Sequence, residues 1–226
     1  TADAPGAALA VDAHAAAHPV NEAAAGLRAK LRGLWARWWL RRSSFGGRYG
    51  DLKRLYLIED PWNLASPKER ARFEASNAIL RQVAPGCRTL LELGSGEGLQ
   101  TEHLIRVSES VAGLEISPAA VRRAQARLPG VTFRVGRVED APRLFPGRRF
   151  DVVTALEVLY YVEDVAAVLT ALQGIAETLV ITSYRARAER MRHLFAGPGW
   201  RRLDDIEAEG TVWEAYVWSR AQGTTG

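Results

Sequence analysis

Residues 90–98, Leu-Leu-Glu-Leu-Gly-Ser-Gly-Glu-Gly, constrain the fold of this chain more than any other stretch. Their apolar start is typical of a short, buried parallel strand. Gly94, Gly96 and Gly98 then predict a tight turn into a helix, where a backbone without Cβ atoms can approach a ligand closely. The spacing G-x-G-x-G differs from the G-x-G-x-x-G of dinucleotide-binding turns, and Glu92 would repel a phosphate. We therefore expect a positively charged ligand without phosphate at this turn.

A second acidic residue follows about twenty residues later. Residues 111–116 predict a strand that ends near Glu115, where a carboxylate can accept hydrogen bonds from both hydroxyls of a ribose. A nucleoside that carries ammonium and sulfonium centres satisfies both acids. S-adenosylmethionine is such a molecule.

Strands and helices alternate along the rest of the chain, which is typical of an α/β fold with a doubly wound parallel sheet. A helix over 67–83 precedes this region, with Ser66 as its cap and Pro67 in its first turn. Strands are predicted at 89–93, 111–115, 131–135, 150–155, 178–183, 200–206 and 212–218, and helices at 98–107, 118–127, 164–176 and 187–195.

The chain divides into three predicted regions. Residues 1–21 are rich in alanine and are expected to be a disordered tail, residues 22–86 to form an N-terminal helical cap or lid, and residues 87–220 to form the cofactor-binding domain. Within the cap, residues 27–42 predict a basic amphipathic helix rich in tryptophan. Such a helix could lie on anionic lipid, or it could dock on its own domain or on a second subunit; we favour docking.

Composition narrows the class of protein. The formal net charge is +4, but much of the basic excess lies between Arg28 and Arg54, which argues against a broad nucleic-acid-binding face. A single cysteine suits a reducing compartment, and no apolar run is long enough to span a membrane. The histidines show no metal-ligand spacing. We therefore expect a cytoplasmic protein without a metal site or a nucleic-acid partner.

The glycine turn and the second acid together resemble the class I S-adenosylmethionine-dependent methyltransferases. The resemblance implies a Rossmann-like, seven-stranded sheet with an antiparallel last strand, an N-terminal helical cover and S-adenosylmethionine as cofactor. Arg137 stands where the family usually has an acid, so the adenine contacts would come from the Val138 amide and from an acid that is Glu139, Asp140 or absent. The cofactor-binding residues implied by the resemblance are Glu92, Gly94, Ser95, Gly96, Gly98, Glu115, Ile116, Val138, Glu139 and Leu156.

A narrower resemblance rests on residues 60–64, 98–101 and 156–161. Together these segments are similar to the nodulation protein S type of methyltransferase, which methylates the amino nitrogen of a glucosamine unit in a chitooligosaccharide. The resemblance implies a lid in which Trp62 stacks on a sugar ring. The substrate-binding residues predicted on this basis are Asp60, Trp62, Asn63 and Tyr161.

The fourth strand supplies the candidate catalytic residues. Ligands of open α/β sheets lie at the carboxyl ends of the strands, so residues 156–161 should line the space beside the transferable methyl group. Glu157 is the ionisable acid of this patch and could orient or deprotonate a nucleophile. Tyr160, with Tyr161, could form an aromatic wall that tolerates a cation.

Several functions remain open at this point. We expect a methyltransferase that acts on a small molecule, by N-methylation of an amino sugar or glycan-type acceptor. O-methylation of a sugar or natural product is a close alternative. A nucleic-acid methyltransferase would need a basic track to the pocket, which only residues 28–54 supply. The alternative from another class is a non-catalytic, methyltransferase-like binding scaffold.

Overall fold

Two helices precede the sheet in the computed structural model, which describes residues 49–220. They are α1 (Tyr49–Leu55) and α2 (Pro67–Val83). The Ser66 hydroxyl accepts the Glu69 backbone N–H and Pro67 lies in the first turn of α2, which confirms the predicted helix and its cap. The predicted tail over 1–21 and helix over 27–42 lie outside the described residues.

The remaining elements alternate as predicted. The strands are β1 (Thr89–Leu93), β2 (Ser110–Glu115), β3 (Thr132–Val135), β4 (Phe150–Leu156), β5 (Ala176–Tyr184), β6 (Trp200–Arg202), β7 (Ile206–Ala208) and β8 (Thr211–Ser219). The helices are α3 (Thr101–Leu104), α4 (Pro118–Arg127), α5 (Ala141–Leu144), α6 (Val165–Ile175) and α7 (Arg185–Ala188), with 3-10 turns at Val138–Asp140, Leu159–Tyr161 and Arg192–Phe195.

The strands form one sheet with the order β3-β2-β1-β4-β5-β8-β6, and β7 also pairs with β8. The first five strands are mutually parallel, whereas β8 runs antiparallel to β5. The strand order reverses between β1 and β4, because the chain runs from β1 outward to β3 and then returns. A crevice at such a reversal, outside the carboxyl ends of the strands, is the usual ligand site of an open α/β sheet.

The described sheet has eight strands rather than the predicted seven. The strand expected over 200–206 is divided into β6 and β7, which pair with different parts of β8. Asp204 and Asp205 lie at the break, and aspartate is unfavourable in a strand. The Asp205 carboxylate instead accepts hydrogen bonds from Arg185 and Arg202, so the extra strand is an interruption of the expected hairpin.

Two predicted helices are shorter in the structure. The helix expected over 98–107 begins only at Thr101, because the glycine turn continues beyond Gly98, whose N–H donates to the Ser95 carbonyl. The helix expected over 187–195 is replaced by α7 and the 3-10 turn at Arg192–Phe195.

Buried apolar side chains lie on both faces of the sheet and fix its strands in place. One group includes Leu91, Leu114 and Leu179, and the other includes Leu90, Val152 and Val180. The carboxyl ends of the parallel strands thus rest on a packed core. Among the residues that the structure describes, no helix has the length and apolar character needed to cross a bilayer.

Candidate active site

A cavity opens at the carboxyl ends of β1, β2 and β4. The space between its walls, including the part that is open to solvent, is about 1110 Å³. Residues 49–64, which we call the N-terminal segment, form one of the walls. The structure brings most of the predicted site residues together here. Those lining the cavity are Trp62, Glu92, Gly94, Ser95, Glu115, Ile116, Val138, Leu156, Glu157, Tyr160 and Tyr161.

Of the three glycines of the turn, Gly94 lines the cavity. Its φ is 72°, and a Cβ atom there would lie 2.7 Å from the Cγ2 atom of Val158, so this position has no room for a side chain. Gly96 and Gly98 do not line the cavity. A Cβ on Gly98 would meet Ala124 of α4 at 3.3 Å, so Gly98 serves the packing of the turn against that helix.

Two buried carboxyl groups lie at the ends of neighbouring strands. Glu92 accepts a hydrogen bond from the Thr101 hydroxyl, and Glu115 accepts the backbone N–H groups of Gly96 at 3.1 Å and Ser117 at 2.9 Å. Burial raises the pKa of both carboxyls to about 7. A cation or a set of hydroxyl donors in the cavity would stabilise their ionised forms.

A buried arginine, which the sequence analysis did not identify, also lines the cavity. The Arg72 guanidinium is 2.7 Å from the Glu69 carboxylate and donates to the Gln100 Oε1 atom at 3.1 Å. The Gln100 Nε2 and Ser95 Oγ atoms are buried without a hydrogen-bond partner among the described residues. The cavity therefore presents a buried cation and unused polar atoms close to the glycine turn.

Glu157 is held in an unusual backbone conformation at the end of β4, with a φ of 66°. A positive φ is rare outside glycine and is frequent at functional sites. The Glu157 carboxylate accepts the Tyr160 hydroxyl at 3.2 Å, the Thr182 hydroxyl at 3.4 Å and the Tyr184 backbone N–H at 3.1 Å. Removal of the side chain from bulk water raises its pKa to about 7.

Aromatic rings line the same cavity as Glu157. The ring centroids of Tyr160 and Tyr161 are 4.5 Å apart, and those of Trp62 and Tyr161 are 5.7 Å apart. Trp213, which is buried on β8, lines the same cavity. We call Glu157, Tyr160, Tyr161 and Trp62 the acceptor cluster.

Two predicted substrate residues lie outside the cavity. The Asp60 carboxylate accepts the backbone N–H groups of Leu64 at 2.6 Å and Ala65 at 3.0 Å, and Asn63 is exposed. Both have positive φ, at 43° and 58°. Asp60 therefore stabilises the turn that carries Trp62, and its carboxylate is occupied by backbone groups.

The N-terminal segment is attached to the glycine turn by an ion pair between the partly exposed Arg123 and the buried Glu97. Arg123 lies 2.7 Å from the Glu97 carboxylate and donates to the Tyr56 carbonyl at 2.8 Å. Glu97 also accepts the Asp60 backbone N–H at 3.0 Å. The buried Tyr56 side chain, which lines the cavity, is held in place by these contacts.

Residues around Val138, where the resemblance predicts the adenine contacts, line another part of the cavity. Glu139 does not line the cavity, because its carboxylate accepts the Tyr49 hydroxyl. Tyr49 itself is a cavity wall, and the Arg137 guanidinium lies 4.9 Å from its ring centroid. Asp140, the other nearby acid, accepts the Arg137 backbone N–H and so caps the 3-10 turn.

No group of three or more His, Cys, Asp and Glu side chains within residues 49–220 could hold a metal ion.

Comparisons with known proteins agree with this geometry. Residues 91–177 match the family model described as a methyltransferase domain. With a TM-score of 0.64 and 20% identity, the fold is similar to that of the N-methyltransferase NodS from Bradyrhizobium japonicum in complex with S-adenosyl-L-homocysteine, over 77% of this chain and 98% of that one. It also resembles the magnesium protoporphyrin IX methyltransferase from Synechocystis with bound S-adenosylmethionine, with a TM-score of 0.54 and 18% identity over 80% and 96% of the two chains.

Residues 91–177 thus match a methyltransferase domain, and the fold with its cavity at the strand reversal is similar to that of methyltransferases solved with S-adenosylhomocysteine or S-adenosylmethionine bound. The chain is also similar in sequence to nodulation protein S. It is 30% identical to nodulation protein S of Sinorhizobium fredii over 132 residues, which are 58% of this chain and 61% of that protein. It is also 41% identical to a ubiquinone biosynthesis O-methyltransferase of Paramagnetospirillum magneticum over 83 residues, 36% of this chain and 33% of that protein. The chain thus spans less than two thirds of the length of these relatives.

Proposed function

We propose that the protein transfers the methyl group of S-adenosylmethionine to the amino nitrogen of a small acceptor, an amino sugar or a glycan that carries a free amine. The observation that carries this proposal is the acceptor cluster, which places a carboxylate among aromatic rings in the same cavity as the glycine turn. Aromatic faces and a carboxylate attract an ammonium group and offer stacking area to a sugar ring.

The residues around the glycine turn fit the proposed cofactor. Glu92 is suited to its ammonium group and Glu115 to its ribose hydroxyls, since both are buried acceptors at strand ends. Arg72 and the unused Gln100 Nε2 and Ser95 Oγ atoms would hold its carboxylate and other polar atoms. The cofactor supplies an electrophilic sulfonium methyl group when it is bound.

The chain's own contribution is to position the acceptor and to control its proton. Trp62 and Tyr161 would fix the acceptor, and the Glu157 carboxylate would orient the nitrogen so that its lone pair faces the methyl group. An amine must be deprotonated before it attacks, and a group whose pKa is about 7 exchanges protons readily near neutral pH. Positioning of two reactants in this way can account for up to about 7–11 kcal/mol of a barrier.

O-methylation is the second candidate, and the raised pKa of the Glu157 carboxyl favours it. A hydroxyl acceptor needs a base, and Glu157 has the raised pKa of a general base. The similarity to a ubiquinone biosynthesis O-methyltransferase points in the same direction.

Methyl transfer to a panel of acceptors tests the proposal. The panel contains glucosamine, a chitooligosaccharide with one free amine, the fully N-acetylated oligosaccharide and catechol, and products are measured by mass spectrometry. We expect methylation of the two amines alone. Methylation of catechol or of the acetylated sugar would favour the O-methyltransferase, and failure to bind S-adenosylhomocysteine in calorimetry would indicate a non-catalytic scaffold.

Substitution of Glu157 distinguishes the two chemistries. For a hydroxyl acceptor, Glu157→Gln should lower kcat by about 10²–10⁴-fold, the usual contribution of a general base. For an amine, the loss should be smaller and should be relieved at higher pH, where more of the amine is free base. Glu163→Gln, at an exposed position nearby in the sequence, is the matched control and should leave both activities unchanged.

A further inference from the structure

The hydrogen bonds already made by Glu157 limit what it can offer an acceptor. Its carboxylate accepts hydrogen bonds from Tyr160, Thr182 and Tyr184. An ionised carboxylate has about four acceptor positions on its two oxygens. Glu157 can therefore accept about one further hydrogen bond, so a single N–H group is enough to satisfy it.

The aromatic rings of the acceptor cluster add an attraction that does not depend on N–H groups. Tyr161 packs against both Trp62 and Tyr160, and all three rings line the cavity that Glu157 also lines. Ring faces attract a cation through their quadrupoles and bind methylated ammonium groups well. A site built only from hydrogen-bond acceptors would lose affinity each time a methyl group replaced an N–H.

On the basis of the proposed N-methyltransferase function, we infer that the acceptor cluster supports two successive transfers to one nitrogen, producing a dimethylamino group, and no third. A neutral primary amine has two N–H groups and a neutral secondary amine has one. Each can give one hydrogen bond to Glu157 and direct its lone pair at the methyl group. A tertiary amine has none, so Glu157 cannot orient it for a further attack.

Each transfer is balanced in the same way. The nitrogen lone pair forms the new N–C bond, the C–S bond breaks, and its electron pair stays on sulfur, so that S-adenosylhomocysteine leaves uncharged at sulfur. The resulting ammonium gives one proton to the Glu157 carboxylate, which releases it to water. A second S-adenosylmethionine molecule supplies the second methyl group.

Three related acceptors test the inference on the 226-residue chain. Glucosamine, N-methylglucosamine and N,N-dimethylglucosamine are each incubated with excess S-adenosylmethionine, and products are followed by mass spectrometry. We expect glucosamine to gain first one and then two methyl groups, N-methylglucosamine to react with a kcat/KM within about tenfold of that of glucosamine, and the dimethyl compound to inhibit without reacting. Methylation of glucosamine that stops after one methyl group would overturn the inference while leaving the proposed function intact. A lack of reaction with any amine would overturn both.

A variant of the cluster separates binding by ring faces from binding by hydrogen bonds. Trp62→Leu should reduce kcat/KM for N-methylglucosamine by several-fold more than for glucosamine, because the methylated ammonium depends more on ring faces. Trp200→Leu, at a half-buried tryptophan that packs on Phe195, is the matched control and should leave the ratio unchanged. Tyr161→Leu offers a second test of the same ratio, and equal losses for both acceptors in both cluster variants would contradict the role of the rings.

Discussion

Raising the pH from 5 to 8 should destabilise the cofactor-free protein, because Glu92 and Glu115 must ionise where they are buried. In the folded state the pKa of each carboxyl is about 7, against the usual 4.5. The folded state therefore holds these protons more tightly than the unfolded state, and the free energy of unfolding falls as the pH rises through the range from about 4.5 to 7.

The size of the effect follows from those pKa values. Each pKa unit corresponds to about 1.4 kcal/mol, so each carboxyl should lower the free energy of unfolding by about 3 kcal/mol once the pH is well above 7. For a protein of this length, 1 kcal/mol corresponds to about 2–4 °C in Tm. Urea unfolding at pH 5, 6.5 and 8, followed by tryptophan fluorescence, measures the free energy directly.

Glu92→Gln and Glu163→Gln form a matched pair for this experiment. Glu92→Gln removes one buried ionisation and should therefore make the free energy of unfolding less dependent on pH. Glu163 is exposed, and its substitution should leave the pH dependence as in the wild type. An unfolding free energy that is flat or rising between pH 5 and 8 in the wild type would refute the reasoning.

Three further predictions concern single residues. Gly94→Ala should weaken S-adenosylhomocysteine binding by about tenfold or more, because its Cβ would meet Val158. The control Gly147→Ala, also at positive φ but with open space around it, should affect stability alone. Calorimetry measures the affinity and thermal unfolding measures the stability, and equal losses of affinity in the two variants would contradict the prediction. Arg72→Met should raise the Kd of S-adenosylhomocysteine by about tenfold or more, the value of a lost charge-assisted hydrogen bond, and an unchanged Kd in calorimetry would exclude Arg72 from the cofactor site. Asp60→Ala should lower the free energy of unfolding by about 1 kcal/mol, since it removes the acceptor of the Leu64 and Ala65 N–H groups. A large rise in the KM for glucosamine with unchanged urea unfolding would instead indicate that Asp60 binds the substrate.

The parts of the fold that sequence could predict are those with strong local signals. The strand and glycine turn at 89–98 combine a buried apolar run with residues that only a tight turn favours, and the Ser66-Pro67 pair defines the start of a helix. The aspartates after Arg202 could have indicated that the strand expected over 200–206 would be interrupted, because their charge is poorly accommodated in a sheet ladder.

The candidate site was less predictable where side chains meet partners far along the chain. Arg72 is buried because it pairs with Glu69 and also reaches Gln100, which lies 28 residues further on. Its position one turn before Ser76 on the buried face of α2 was the available signal. For Asp60 the partners are local instead. An acid in a predicted lid suggested an ammonium partner, whereas its carboxylate accepts hydrogen bonds from the nearby Leu64 and Ala65 N–H groups.

The ion pair between Arg123 and Glu97 fastens a segment that lies outside the matched methyltransferase domain. Residues 91–177, which match the methyltransferase domain, contain both members of the pair, whereas the segment that they fasten, with Tyr56 and Trp62, lies outside the match. One wall of the cavity thus comes from a stretch of sequence outside the matched domain, and this stretch is fastened to the domain at Arg123 and Glu97. If the proposed function holds, a chimera in which the segment before residue 66 is exchanged should act on another acceptor, provided that the new segment still presents backbone groups to Arg123 and Glu97.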